Sequence, residues 1–319
     1  MKPRLIYSEN YDFKLWGLNK LHPFDGMKFS KAWKLISTEF QDEIDSLWIK
    51  PQETISDELL LKVHTQEYLA SLNKSSVIAA VIELWPAKYL PLTFLYKMLI
   101  NPIKLACSGT LMATETALNE QTIVMNIGGG FHHAFADHGE GFCFFADAAL
   151  SIIHSRDQGL LSAEDTVLMI DLDAHRGNGF ESIIEDDTAV KNFDIYCFQS
   201  YPGMHEGDMD DFPYMIPLKA RMRDELYLNT LKTDLVKFLD ENKQAKLVFY
   251  NAGNDILESD PLGGFSVSYD GVVERDRYVI DQLTQRGIPT VVMTSGGYTN
   301  QSHKLIADLA KIVIEADKA

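Results

Sequence analysis

The sequence predicts an α/β fold in one domain: a central parallel sheet flanked by helices, with the active site at the carboxyl ends of the strands. Two observations carry that expectation. Short apolar or β-branched runs repeatedly end in Gly, Asp or Asn, the pattern of strands buried on both faces, and helical stretches alternate with them through the second half of the chain. A third observation makes a large core feasible: 319 residues, 46% hydrophobic and 24% charged, contain no low-complexity tract.

The runs are "TIVMNIGGG" (122–130), "TVLMIDLDAH" (166–175), "DIYCF" (194–198), "KLVFYNAGND" (246–255) and "TVVMTSGGY" (290–298). Helices are expected at 144–158, 224–242, 269–286 closed by Gly287, and 300–317. Residues 56–119 read as mostly helical, opening on Ser56 as an N-cap and continuing past Pro102 at a helix start. The segment "LWPAKYLPLTFLYKML" (84–99), rich in aromatics and prolines, reads either as a packed loop or as the wall of a substrate channel. No linker or internal repeat divides the chain.

The net charge of −17 disfavours direct binding to nucleic acid or an anionic membrane. No stretch of about 18 uncharged apolar residues occurs. Cys107, Cys143 and Cys197 lie far apart in apolar contexts, which fits a reducing compartment, and Cys143 reads as packing. A cytoplasmic protein is expected, although export as a host-directed effector through a non-standard signal would leave the same sequence.

In open α/β sheets ligands bind outside the carboxyl ends of strands, where the polar clusters here sit. "IDLDAHRGN" places Asp171, Asp173 and His175 two residues apart, so that in extended chain they share one face. Asp173 and His175 can hold a divalent metal, with Asp171 behind them as an acceptor. Asp255 ends the next run and supplies a third ligand. Two carboxylates and one imidazole suit Zn2+, and Fe2+ or Co2+ also satisfy the set. In "NIGGGFHHAFADHGEGFC" the adjacent His132 and His133 can act as acid and base on water and a leaving group. Tyr298, on the glycine turn of "TSGGY", can donate a hydrogen bond to an oxyanion.

Together "GGGFHH", "GFCFFADAALSI", "IDLDAHRGNG", "YNAGNDILESDPLGG" and "TSGGY" resemble the zinc-dependent histone deacetylases, and with "LHPFDGMKFSKAW" and "LLKVHTQEYL" they look most like the class IV branch. The likeness runs from about residue 5 to 312. It implies a single catalytic domain over residues 1–319 with the arginase/deacetylase fold, and hydrolysis of N-ε-acyl-lysine in proteins, histone tails among them. By the same resemblance Asp173, His175 and Asp255 hold zinc, His132 and His133 are the acid/base pair, and Tyr298 is the oxyanion donor. Phe142 and Tyr201 wall the acyl-lysine channel with Gly141 and Leu262 nearby, and a potassium ion lies near the zinc, bound by backbone carbonyls. His138 matches no catalytic position. Asn178 stands where the better-known members carry an Asp behind the second histidine, and the acidic rim residue that grips the substrate backbone has no counterpart after "HTQEYL". Class IV relatives share both features and are associated with removal of long fatty acyl groups as well as acetyl; the apolar stretch 77–99 is compatible with that.

Three rivals follow. A binuclear manganese ureohydrolase would need carboxylates where Gly177 and Gly253 stand. An acetylpolyamine deacetylase would keep the zinc and change the substrate. A catalytically silent acyl-lysine-binding module would be expected to have lost one of the six site residues, and all six are present.

Overall fold

A computed structural model describes residues 4–13, 23–203 and 213–316; Leu21 and His22 of the quoted N-terminal motif, and residue 317 of the last expected helix, lie outside these. Its centre is one eight-stranded sheet in which every pairing is parallel. In chain order the strands are β1 (Leu5–Ile6), β2 (Trp48–Ile49), β3 (Ile123–Asn126), β4 (Val167–Asp171), β5 (Val190–Cys197), β6 (Met215–Leu218), β7 (Leu247–Asn251) and β8 (Thr290–Met293). Across the sheet they run β2-β1-β3-β8-β7-β4-β5-β6.

The apolar runs become strands because both faces of the sheet are covered. Val124, Val167, Met169, Leu247, Phe249, Val291 and Met293 pack into one buried cluster. Their alternating neighbours Met125, Leu168, Ile170, Val248, Tyr250 and Val292 pack into the other. Each such side chain contributes about 1.5–3 kcal/mol by leaving water, which a half-exposed strand would forgo.

Helices flank the sheet at Lys28–Glu39, Asn101–Glu120, Asp147–Asp157, Asn178–Ile184, Asp224–Glu241, Tyr269–Arg286 and Ser302–Glu315. Tyr269–Arg286 has the expected ends: the Ser268 hydroxyl accepts from the Gly271 N–H at 3.0 Å, and Gly287 closes it in the left-handed conformation at φ 62°.

Two expectations are corrected, and one left open is decided. Four of the five predicted runs are strand only in their first part, ending at Asn126, Asp171, Asn251 and Met293, and the residues beyond leave the sheet and build the site; the fifth, 194–198, is the end of a longer strand that begins at Val190. Consequently Asp173 and His175 converge through bends beyond the strand, not through extended chain. The Asp173 N–H donates to Asp171 Oδ1 at 3.1 Å and the His175 N–H to Asp173 Oδ1 at 3.0 Å. The 84–99 segment is the packed alternative: it forms short helical turns with Leu84, Ala87, Leu95 and Leu99 buried, and none of its residues lines the cleft that holds Asp173, His132 and His133.

Candidate active site

Parallel register aligns the strand ends. Asp171 pairs with Asn251, and Met293 pairs with both Asn251 and Asn126, so the loops after β3, β4, β7 and β8 leave the sheet side by side. That alignment brings together residues up to 166 positions apart, from His132 to Tyr298.

The loops after β4 and β7 supply Asp173, His175 and Asp255, whose donor atoms lie within 4.8 Å of one another and are all buried. His175 Nδ1 is 3.0 Å from Asp173 Oδ1 and 3.0 Å from Asp255 Oδ2. Among the described residues no lysine or arginine pairs with either carboxylate. Burial and the facing Asp173 push the Asp255 carboxyl up to about 7. Burial acts on Asp173 in the same sense, but His132 and His175 outweigh it and hold that carboxyl well below its usual range. Two buried carboxylates pressed together around one imidazole, with no lysine or arginine paired to either among the described residues, fit a divalent cation. The surrounding glycines fit it as well: a Cβ at Gly253 would overlap the Asp173 carboxylate, and one at Gly296 would overlap both carboxylates. The same crowding bears on the two-metal alternative, since Gly253 has no room for the extra carboxylate that chemistry needs.

Arg275 anchors this centre from behind. Wholly buried, it donates from NH1 to the carbonyls of Leu172 at 3.0 Å and Gly253 at 2.5 Å, while Asp276 takes its Nε–H at 2.8 Å. One guanidinium thus ties the loop after β4 to the loop after β7.

The loop after β3 carries the two histidines. Gly129 and Gly130 adopt φ 74° and 81°, open to glycine at little cost. The buried Asp147 accepts the N–H groups of Gly130 at 2.9 Å and Phe131 at 3.0 Å, and so sets the loop's path. His132 Nδ1 donates to Asp171 Oδ2 at 2.8 Å, and Asn251 Nδ2 donates to Asp171 Oδ1 at 3.0 Å. His133 Nδ1 donates to Asn178 Oδ1 at 2.7 Å. The two rings lie 4.1 Å apart, yet their environments differ. Burial pulls His132 down, but Asp171 and Asp173 more than offset it and hold the imidazole at about 9. Burial, together with the positive charges of His132 and His175, drives His133 well below the ordinary histidine value, and the Asn178 amide answers only weakly. At neutral pH the pair holds one imidazolium and one neutral imidazole.

Tyr298 lines the same cleft, its ring edge-on to His175 with centroids 6.2 Å apart. Burial and the Asp173 and Asp255 carboxylates keep its phenol protonated, hence a donor. Its backbone N–H donates to Asp260 Oδ2 at 2.7 Å, while Asp260 Oδ1 takes the N–H of Leu262 at 2.9 Å. Behind the Tyr298 turn the buried Lys28 donates from Nζ to the Ser295 carbonyl at 2.7 Å; burial lowers it to about 8 despite the nearby carboxylates.

Gly141 and Phe142 line the cleft, and Tyr201 meets His133 edge-on at 5.1 Å. Leu262 is exposed, on the loop that Asp260 ties to Tyr298, and is not among the cleft-lining residues. Phe24 stacks on Phe142 at 5.0 Å and, with Phe13 and Phe29, gives the cleft an apolar wall on the side of Tyr298. His138 is exposed and bonded to Asp137, away from the centre. The three cysteines are free and buried.

Sequence reasoning missed Lys28, Asp147, Asp260, Arg275 and the three phenylalanines. The one available signal was an acidic residue directly after an aromatic run, in "GFCFFAD", where a buried carboxylate must find donors.

Compared with known proteins, residues 22–313 match a family model described as the histone deacetylase domain. The chain is 37% identical over 315 residues to histone deacetylase 2 of Arabidopsis thaliana, covering 96% of this chain and 77% of that one. It is 28% identical over 269 residues to histone deacetylase 8 of Xenopus tropicalis, covering 78% and 68%. Histone deacetylase B of Dictyostelium discoideum is 32% identical over 187 residues, covering 56% and 42%.

Proposed function

The chain belongs to the histone deacetylase family, and from that premise we propose that it is a zinc-dependent hydrolase of the class IV type, removing acetyl or longer fatty acyl groups from N-ε-acyl-lysine of proteins such as histones. It is a deacetylase by family; the metal, the residue roles and the acyl range are our reading. The observation that carries it is the convergence of a three-donor carboxylate–imidazole set, an unequal histidine pair and a buried phenol on one cleft.

Asp173, His175 and Asp255 would hold the zinc. When bound, the ion supplies Lewis-acid polarisation of the scissile carbonyl and acidifies water. Asn178 keeps the proton on His133 Nδ1, so Nε2 presents its lone pair as the base that takes a proton from the attacking water. Its depressed basicity keeps it in that form at neutral pH. His132, charged and held by Asp171, stabilises the negative charge that develops. Water oxygen bonds to the acyl carbon, and the Tyr298 hydroxyl donates to the resulting oxyanion. The C–N bond then breaks, His133 returns its proton to the lysine nitrogen, and the carboxylic acid passes its remaining proton to the amine, so that carboxylate and lysine ammonium leave.

A potassium ion near the Asp171–His175 segment is part of the same reading, held by backbone carbonyls. The buried Asp194 carboxyl supports a cation there: its Oδ1 has no partner among the described residues, and burial, Asp171 and Glu181 all raise it. No helix among the described residues is long and apolar enough to cross a membrane, and we place the protein in the cytoplasm.

The test is hydrolysis of matched lysine peptides bearing acetyl, octanoyl or myristoyl groups, by zinc-loaded protein with and without chelator. Chelator-sensitive cleavage of acyl-lysine is expected, abolished or cut by about a hundredfold or more in Tyr298→Phe. Cleavage of acetylpolyamines with none of any acyl-lysine peptide would replace this reading with the small-amide one.

A further inference from the structure

Glu140 lies on the turn before Phe142, and Tyr201 on the loop after β5, 61 residues later in the chain. The Tyr201 hydroxyl donates to Glu140 Oε2, joining the loop after β5 to the turn that carries the cleft-lining Gly141 and Phe142. The carboxylate's other oxygen, Oε1, lies 3.3 Å from His138 Nε2. We propose that Glu140 is a positioning residue of the deacylase: its bond to Tyr201 latches the two channel walls together and fixes the tyrosine ring against His133. This rests on the reading of the cleft as an acyl-lysine channel.

The bond can act at the catalytic base because both its ends are tied close to that base. On one side the Tyr201 ring stands edge-on to His133, with centroids 5.1 Å apart and planes at 83°. On the other, the turn carrying Glu140 is tightly wound. The Cys143 N–H donates to the Glu140 carbonyl at 2.7 Å, Gly141 and Phe142 take φ of 49° and 66°, and the Phe142 N–H donates to the Val81 carbonyl at 2.9 Å. A non-glycine residue at positive φ costs free energy, so this turn holds its shape only because its surroundings specify it. The Gly141 Cα lies so close to the His133 ring that an added Cβ would come within 2.7 Å of Cδ2. His133 is therefore flanked by the Gly141–Phe142 turn and the Tyr201 ring, and the one described side-chain bond joining those two flanks is Tyr201 to Glu140. Without it a ring that is 39% exposed is free to swing into solvent. A phenylalanine there would have the same ring and no tether.

The experiment compares wild type with E140A, E140Q, Y201F and the E140A/Y201F double variant, by steady-state kinetics on acetyl- and myristoyl-lysine peptides. E140A and Y201F should each lower kcat/KM roughly tenfold, the loss expected for a charge-assisted hydrogen bond, mostly through KM. E140Q, which keeps an acceptor for the hydroxyl, should recover to within about threefold of wild type, and the double variant should be no worse than either single one. Wild-type KM in E140A, or losses that multiply in the double variant, would overturn the latch. A wild-type enzyme that cleaves no acyl-lysine peptide refutes the deacylase reading instead. The latch is then judged by fluorescence anisotropy of labelled acyl-lysine peptide, where equal affinities of wild type and E140A overturn it and a weaker E140A sustains it.

Discussion

Within the histidine pair, one atom separates the two environments. Asp171 gives His132 a carboxylate, and Asn178 gives His133 an amide at almost the same distance, 2.8 against 2.7 Å. The amide orients the ring without supplying charge, so burial wins and the imidazole stays neutral. Asn178→Asp should reverse that balance. A carboxylate within hydrogen-bond reach raises an imidazole, here by about one unit or more. Because the base works only when deprotonated, the acidic limb of the kcat/KM profile should move to higher pH by a similar amount. A profile measured from about pH 5 to 9 on one acyl-lysine peptide checks it; an unmoved limb would mean His133 is not the base. At this scale the three candidate ligands and the histidine pair were legible as a cluster because they stand in short motifs with few alternatives. Lys28 and Asp260 were not, since an isolated charge in "FDGMKFS" or "ESDPLGG" does not reveal that it will be buried under the Tyr298 turn.

For the secondary-structure elements, the strand ends decide where the chemistry lies. Four of the five predicted runs begin within one residue of the observed strands β3, β4, β7 and β8, while β5 begins four residues earlier than the fifth run, 194–198. Their buried apolar cores announce them. Strands β1 and β2, at one side of the sheet, are two residues each, too short for any periodicity, and the edge strand β6 is interrupted by Pro217, which is tolerated at a sheet edge. The helix Tyr269–Arg286 was placed to the residue, yet its main contribution was invisible: Arg275 reaches through to the carbonyls of Leu172 and Gly253. Arg275→Met should leave Asp276 buried without its cation and two carbonyls without donors, destabilising the fold by about 3–5 kcal/mol. Urea unfolding of the metal-free protein measures this. A midpoint equal to wild type would mean that the loops after β4 and β7 hold each other without the clamp.

The molecule as a whole is governed by its acidity and by the buried carboxylates at its centre. With a net charge of −17 and, among the described residues, no lysine or arginine paired with Asp173 or Asp255, a divalent ion adds positive charge that these carboxylates otherwise draw only from histidines. Ligand bound only to the native state stabilises it by about 2.7 kcal/mol at a hundred times its Kd. Zinc should therefore raise the midpoint of thermal unfolding by several degrees, chelator should remove the gain, and Asp255→Ala should show neither response. The metal-free protein should also weaken at high pH. His132 is held at about 9 in the folded state against about 6.5 unfolded. The stability it contributes is therefore full below about 6.5 and lost as pH rises through about 9.

By itself the sequence determined the fold class, the order of the main strands and helices, and the identity of the polar residues that follow those strands. These depend on local patterns: buried strands demand continuous apolar runs, helix ends demand caps, and site chemistry demands particular side chains. Only the tertiary structure decided which histidine is charged, what holds the loops in place, and where the apolar wall of the cleft runs. Phe13, Phe24 and Phe29 form that wall where the 84–99 segment had been an alternative, and Asp147, Asp260, Lys28 and Arg275 brace the loops from positions far away in the chain. The physical reason is that burial and hydrogen bonding between distant segments set these properties. Neither is a function of neighbouring residues alone.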